Sequence, residues 1–577
     1  MSPSQRLFVF LALSLSAVGS ASAPSVLVYS ATGGGFAAAL AAARAGAAVT
    51  LLGATGGGGS GLHVGGMVTG GLQHADCGNA SVIGGLAREF FVRVESQYPN
   101  RSTDPGLQPC TGPPCWLFEA HVAERVMRDM LAEAGVSVIV GEEGIARVDV
   151  IDVGAGEKRS FPAAAAAAAP ATRRVTRLVT LSGRSFTADV FVDASYEGDL
   201  LAAAGATTTF GREPATQYGE AGAGVRPLLP YDQLPAGVDP LWPTGEPLPL
   251  LTTAAPFAPV GSGDALIEAY TYRLCMTRAP SRRVSVGQPA GYNASTFELF
   301  RRVFAVRPPA SLAEAYPCLG PIPTDAEDCP ADANATRRWC KCDMIGAGAL
   351  GADLAGGSWA WPTASVAARR EIAAAHAFYV SSLVWFLGHD AAVPASVRAE
   401  MLDYGLCSDE FLDTEPPHFP HQLYVREARR LVGDFVLTQN APPAAAANRS
   451  IGLGSYAFDA HTVQRGVAVD GATGALTAVN EGEIVSQPPA YQRAYRIPYD
   501  ALLPARAELE NVLAAVAVSA SHVVFTSLRM EPTWMIIGHA AGAAAAAAAS
   551  DCGGDVHAVN VTALQALLRA AGQIIAE

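Results

Sequence analysis

Apolar residues along this chain fall into two alternating rhythms. The run VLVY (26–29) is short and continuous, and after a break of small and polar residues FAAALAAARAG (36–46) is apolar over a helical length and stops at Gly46. AVTLLG (48–53) returns to the first rhythm. The pattern predicts a strand, a turn, a helix from Phe36 to Ala45 and a second short strand. A glycine-rich loop, GATGGGGSGLHVGGMVTGGL, comes next. Then follow a helix from about Ile83 to Glu95, an amphipathic helix in HVAERVMRDMLAEAG and the strand VSVIVG (136–141). Strands around RLVTLSG and SFTADVFVDAS complete the set. Strands interleaved with helices predict an α/β domain with a largely parallel sheet.

From 207 to 496 the rhythm is less regular, with many prolines, short strands and two helical stretches, TASVAARREIAAAHAFYVSSLVWFLG and PHQLYVREARRLVGDFVLTQ. On the second of these, Arg426 and Arg430 fall on one helix face. The closing stretch predicts a strand, a polar loop, a long alanine-rich helix starting near Pro532 and a last amphipathic helix from 561 to 575. The expected organisation is a leader over 1–23, a first domain over 24–206, an inserted α+β domain over 207–496 and a return to the first domain over 497–577. PAAAAAAAP (162–170) reads as a surface insertion within a hairpin.

Composition narrows the class. Half of the 577 residues are hydrophobic and 16% are charged, which is globular. A net charge of −14 with no Lys/Arg cluster excludes nucleic acid as a partner. Arg6, the apolar run from Leu7 to Val18 and the ending Ala21-Ser22-Ala23 have the three parts of a secretory signal peptide, which predicts a secreted chain with no membrane span after cleavage. An uncleaved anchor is the lesser alternative, because the run is short for a bilayer. Glycosylation sequons begin at Asn79, Asn100, Asn293, Asn334, Asn448 and Asn560. Ten cysteines then suggest disulfides: Cys110 with Cys115, and Cys340 or Cys342 with partners such as Cys318 or Cys329. Zinc ranks below disulfides, because Cys340-Lys341-Cys342 lacks the two-residue spacing, and no metal is expected.

Chemistry enters at the first turn. A dinucleotide diphosphate needs backbone N–H groups at a helix N-terminus and a turn free of bulky side chains. Ser30 and Thr32 stand at the first two glycine positions of G-x-G-x-x-G, Gly35 holds the third, and Gly33 and Gly34 permit close approach. The Ser30 and Thr32 hydroxyls are expected to donate to phosphate. Gly53 stands where an acidic residue usually meets the ribose.

Longer motifs carry a resemblance. LHVGGMVTGGL (62–72), FVDASYEGDLLAAAG (191–205), FGREPATQYGE (210–220), AYTYRLCMT (269–277), SYAFDAHTVQR, IPYDALLP and SASHVVFTSLRMEPTWMIIGHAAG make the sequence similar to the FAD-dependent oxidoreductases with a glutathione-reductase-like flavin fold. The likeness runs over nearly the whole mature chain. It implies a Rossmann-like FAD-binding domain with an inserted α+β substrate or cap domain, and FAD as cofactor. Its cofactor contacts would be Ser30, Thr32, Gly33, Gly34 and Gly35 in the turn and Gly65, Gly66 and Met67 in the glycine loop. Asp193, Ala194 and Asp199 would follow after the strand, with Ser519, Ser521 and Met530 near the last long helix. A capping role for Asp199 weighs equally. The family commonly carries Gly-Gly-Thr-Pro-Ala-Gly where this chain has Ser30-Ala31-Thr32-Gly33-Gly34-Gly35.

His522 is the expected proton-transfer group, and Arg529, Arg426 and His461 are further catalytic candidates. An ion-paired, structural role for the arginines is the competing reading. His63 in the glycine loop and His74 just after it keep a covalent flavin link in view. The expected activity is hydride transfer between a small organic substrate and flavin N5, with oxygen or another acceptor taking the electrons. The alternatives are reduction of an unsaturated acid and a secreted binding protein that has lost FAD.

Overall fold

The computed structural model describes residues 23–54, 57–59, 61–98, 116–153, 172–230, 233–322, 328, 341–345, 349–440, 448–469, 471, 474–485 and 494–577. The leader up to Ser22, the alanine tract, Asn100, Asn334, Cys110, Cys115, Cys329 and Cys340 lie outside the described residues.

Five parallel strands form the central sheet: β1 (Ser25–Tyr29), β2 (Ala48–Ala54), β3 (Ser137–Glu142), β4 (Val190–Asp193) and β5 (Val512–Ala514), in the order β5-β4-β1-β2-β3. Register is set by Val26 opposite both Val49 and Val190, and by Val512 opposite Phe191. Four of the five residues of β1 and all of β4 and β5 are buried. That explains the unbroken apolar runs, since a parallel sheet is covered on both faces. Strand order reverses at β1, whose carboxyl end therefore opens into the crevice where doubly wound sheets bind ligands.

Two helices cover one face of this crevice. α1 (Gly33–Arg44) follows β1 directly, and α6 (Glu531–Asp551) follows β5 through α5 (His522–Leu528). α6 is buried over most of its length, as its alanine-rich, all-round apolar sequence requires. Gly538 and Gly542 lie four residues apart on its α1 face. A β-carbon on either would overlap the carbonyl oxygen of Gly34 or Ala38, so the two backbones touch. The remaining helices used below are α2 (Gly85–Glu95), α3 (Ala120–Glu133), α4 (Val366–His389) and α7 (Val561–Ala570). α4 is long and apolar enough to cross a bilayer, yet more than half of its most apolar 18-residue stretch is buried within the chain.

A second, antiparallel sheet joins Arg283–Val284, Gly405–Cys407, Leu274–Thr277, Lys341–Met344 and Cys318–Ile322. Disulfides Cys275–Cys407 and Cys318–Cys342 cross-link its neighbouring strands. Cys318 was one of the two partners expected for Cys342; the other pair was not anticipated. Ile145–Val153 pairs antiparallel with Thr172–Thr180, so the alanine tract is bracketed by a hairpin.

One element differs from expectation. The stretch 420–439 is not a helix: Gln422 bridges Gly59, Tyr424 bridges Thr271, and Arg430–Leu431 pairs with Thr208–Thr209. Its charged side chains are buried against partners on surrounding segments, Arg426 with Asp353, Glu427 with His522 and Arg430 with Glu213. Satisfying those buried charges outweighs local helix propensity, which is worth only tenths of a kcal/mol per residue.

Candidate functional site

The turn after β1 keeps a glycine conformation without a glycine. Ser30 has φ +76°, in the left-handed region. Thr32 then caps α1, its Oγ1 accepting from the Gly35 N–H at 3.1 Å and donating to the Ala194 carbonyl at 2.8 Å. The Thr32 proton is thus spent inside the fold, which corrects the expectation that this hydroxyl donates to phosphate. Gly34 and Gly35 serve packing, for a β-carbon on Gly34 would stand 2.9 Å from Val516, and one on Gly35 would overlap the Ser30 carbonyl. Gly33 is different: a β-carbon there would stand 2.5 Å from Oε2 of Glu531.

The glycine loop closes over this turn. Gly65 donates to the Ala31 carbonyl at 2.6 Å, and a β-carbon on Gly66 would lie 2.6 Å from the Tyr196 hydroxyl. Met67 donates its N–H to that hydroxyl at 3.0 Å, and Tyr196 donates to Glu531 Oε1 at 2.6 Å. Burial pushes the Glu531 carboxyl up to about 8 and the tyrosine well above its usual value. The cleft between turn and loop is lined by Ser30, Thr32, Gly53, Gly61, Gly66 and Glu197 and leaves only about 10 Å³. That is room for roughly one water. His63 and His421, stacked 3.9 Å apart, separate this cleft from a cavity of about 660 Å³ that also touches Glu124, His121 and Glu410. His74, by contrast, lines neither cavity and points its Nδ1 toward Asp76 at 3.9 Å.

Several expected contacts turn out to hold the fold itself. Asp193 Oδ1 accepts from Ser195 N and Oγ at 2.9 and 2.7 Å, and Oδ2 accepts from Leu201 N at 2.9 Å. Burial raises its pKa to about 6, and these bonds engage both of its oxygens within the fold. Ala194 is held through its backbone, its N–H donating to the Tyr29 carbonyl at 2.9 Å and its carbonyl accepting from Thr32. Asp199 neither caps its helix nor faces the cleft: it pairs with Arg369 at 2.7 Å and Arg429 at 2.9 Å, tying the segment after β4 to α4. Ser519 bonds Phe435 and Gly433, and Ser521 caps α5 while donating to Glu220. Met530 is buried, and its carbonyl accepts the first free N–H groups of α6.

The four catalytic candidates converge. His522 Nδ1 lies 2.8 Å from Glu427, Glu427 Oε1 accepts from the Glu268 N–H, and Glu268 Oε2 meets Arg529 at 3.4 Å and the His461 N–H at 2.8 Å. His461 Nδ1 meets Asp353 at 2.7 Å, and Asp353 meets Arg426 at 2.9 Å. Arg426, Arg529 and Arg273 all lie over the Tyr424 ring, at 4.9, 6.0 and 5.9 Å. Burial alone would push His522 down, but the Glu427 carboxylate outweighs it and holds the imidazole above its ordinary value. His522 Nε2, Arg426 Nε, Arg529 Nε, Glu268 Oε1 and both polar atoms of the Gln73 side chain are buried without a partner. Native interiors leave few such atoms, and a cluster of them marks a place built for a polar ligand.

Glu531, Tyr196, Tyr424, Glu268 and Asp353 were not singled out from the sequence. Only Glu531 left a trace there, as an acid at the first position of a helix, which reads equally well as a helix-dipole partner.

A family model described as "FAD dependent oxidoreductase" matches residues 25–568. No curated protein matches. Among solved structures, the tetrameric form of 2-methyl-3-hydroxypyridine-5-carboxylic acid oxygenase is 15% identical, with a TM-score of 0.20 over 33% of this chain and 44% of that one. THI4 from Thermovibrio ammonificans is 17% identical, with a TM-score of 0.20 over 32% and 63%. OxyS anhydrotetracycline hydroxylase from Streptomyces rimosus is 13% identical, with a TM-score of 0.20 over 33% and 35%. The chain thus spans less than two thirds of each of these proteins, and at such scores the likeness carries no argument. The first-turn residues fit a diphosphate cofactor: a helix N-terminus without side chains, a glycine-like Ser30 and a buried acid with one orphaned oxygen. This chain belongs to the FAD-dependent oxidoreductase family, and its cofactor is FAD.

Proposed function

We propose that the protein is a secreted FAD-dependent oxidoreductase that moves a hydride between a small organic substrate and flavin N5. When bound, FAD supplies the hydride-accepting centre. The observation that carries the reading is the buried network from His522 to Arg529, which ends two residues before α6 and is left with unpartnered polar atoms. His522 takes or gives the substrate proton at Nε2, while Glu427 fixes the ring through Nδ1. Tyr424 and the arginines around it orient the substrate, and the segment 207–496 covers it and excludes water. Cys275–Cys407 and Cys318–Cys342 support an oxidising compartment and hence secretion. Oxygen or another acceptor reoxidises the cofactor.

One observation favours a second reading, reduction of an unsaturated acid. Arg426 and Arg529 are buried with free Nε donors, which suits a carboxylate. The test is anaerobic mixing of the yellow holoprotein with sugars, alcohols and hydroxy acids, followed by air. Bleaching by one class with recolouring in air supports the oxidase reading. Indifference to all of them, with rapid oxidation of chemically reduced protein by an unsaturated acid, supports the second. A protein that carries flavin and does neither overturns both.

A further inference from the structure

Glu531 stands apart from the ion pairs around Tyr424. It is nine-tenths buried, and its Oε1 accepts from Tyr196, whose oxygen accepts in turn from the Met67 N–H. Its Oε2 is buried with no partner and faces the first turn of α1, where Gly33 has no side chain to shield it. A buried carboxylate without a counter-charge is the costly state, so this group rests as the neutral acid. With Oε1 engaged as an acceptor, the proton belongs on Oε2. The N-terminus of α1, an end that attracts anions, is therefore faced by a donor and not by a competing negative charge.

We infer that Glu531 is a cofactor-binding residue whose neutral carboxyl donates a hydrogen bond from Oε2 to the diphosphate of FAD. The placement explains three things at once: the orphaned oxygen, the bare Gly33 opposite it and the Met67–Tyr196 relay that turns the carboxyl. Because the phosphates are negative, the bond exists only while the acid is protonated, and its pKa lies near 8.

Among the described residues, few ionisable groups face this carboxyl. Tyr196 touches it and, like Tyr424 beyond it, is held above the usual tyrosine range by burial. The first turn of α1 and the Gly66–Val68 turn carry no ionisable side chain. Arg529, two residues earlier, turns instead to Glu268 and Asp459. Glu197 lines the neighbouring cleft beside Tyr196, and burial raises it to about 7, at the foot of the range the test uses, so the Glu531→Gln profile is what separates the two acids.

The experiment measures ADP binding to flavin-stripped protein between pH 7.5 and 9.5, where the ADP phosphates no longer titrate, with adenosine as the phosphate-free control. Wild-type affinity for ADP should be level below pH 8 and fall up to tenfold per pH unit above it. Glu531→Gln keeps a donor and should give a flat profile. Glu531→Ala should weaken ADP roughly tenfold to a hundredfold, the range for one hydrogen bond to a charged group, and leave adenosine unchanged. An unaltered slope in Glu531→Gln, or equal losses for ADP and adenosine in Glu531→Ala, overturns the inference. Unfolding midpoints are compared in parallel; if Glu531→Ala does not fold, the Glu531→Gln profile decides.

Discussion

The contact between α1 and α6 can be broken at one atom. In Gly542→Ala the new methyl would overlap the Ala38 carbonyl oxygen, with backbone on both sides and no flexible side chain to yield. Helix propensity argues the other way, since replacing glycine by alanine within a helix gains about 1 kcal/mol. Overpacking a tight interior costs about 1–3 kcal/mol, and a clash with backbone belongs at the upper end. A cost near 3 kcal/mol against a gain near 1 leaves a net loss of about 2 kcal/mol. Separating the helices also draws Glu531, at the start of α6, away from Gly33, so FAD affinity should fall together with stability. Urea unfolding of the holoprotein and FAD titration of the stripped protein measure the two effects. Gly542→Val should lose more on both. If Gly542→Ala is as stable as wild type or more so, with unchanged FAD affinity, propensity has won and the packing argument fails.

Two other perturbations probe different parts of the site. Glu427→Gln leaves the buried His522 imidazole without its counter-charge and should destabilise the protein by about 3–5 kcal/mol. The folded His522 pKa is raised above its unfolded value of about 6.5, so the pair's stabilisation is complete below that pH and is lost as pH rises through the folded value. Urea midpoints against pH should show that falling limb in wild type and not in Glu427→Gln; the same limb in both would refute the assignment. Ser30→Gly relieves a left-handed serine and should raise stability by about 0.5–1 kcal/mol, the strain of about 1–2 kcal/mol being partly offset by glycine's extra unfolded-state freedom. A destabilised Ser30→Gly would mean that its hydroxyl, and not its backbone, is what the turn needs.

Much of the scaffold was legible because it depends on short-range pattern. The continuous apolar runs at 26–29 and 190–192, the alanine-rich helices and Gly46 as a stop all appear where periodicity places them. The stretch 420–439 was misread because its pattern suits a helix, whereas its charges find partners only on segments far away in the chain. Asp193, Asp199, Ser519 and Ser521 have the residue types of a binding site, yet each spends its polar atoms within the fold, on backbone groups, an ion pair or, for Ser521, the Glu220 carboxylate. No linear pattern reveals which polar atom is already engaged.

The sequence alone determined a parallel α/β core drawn from both ends of the chain, a helix N-terminus poised for a diphosphate and the membership that its long motifs carry. These follow from local propensity, apolar period and glycine placement, all of which act over a few residues. Only the tertiary structure decided that His522, His461, Arg426 and Arg529 meet in one buried network, and that the Thr32 hydroxyl is spent on its own helix. It also decided that Glu531, which the sequence shows only as an acid at a helix start, holds an unpaired oxygen against Gly33. The reason is physical: burial and the choice of hydrogen-bond partner are set by residues hundreds of positions apart, and they determine which polar groups remain free for chemistry.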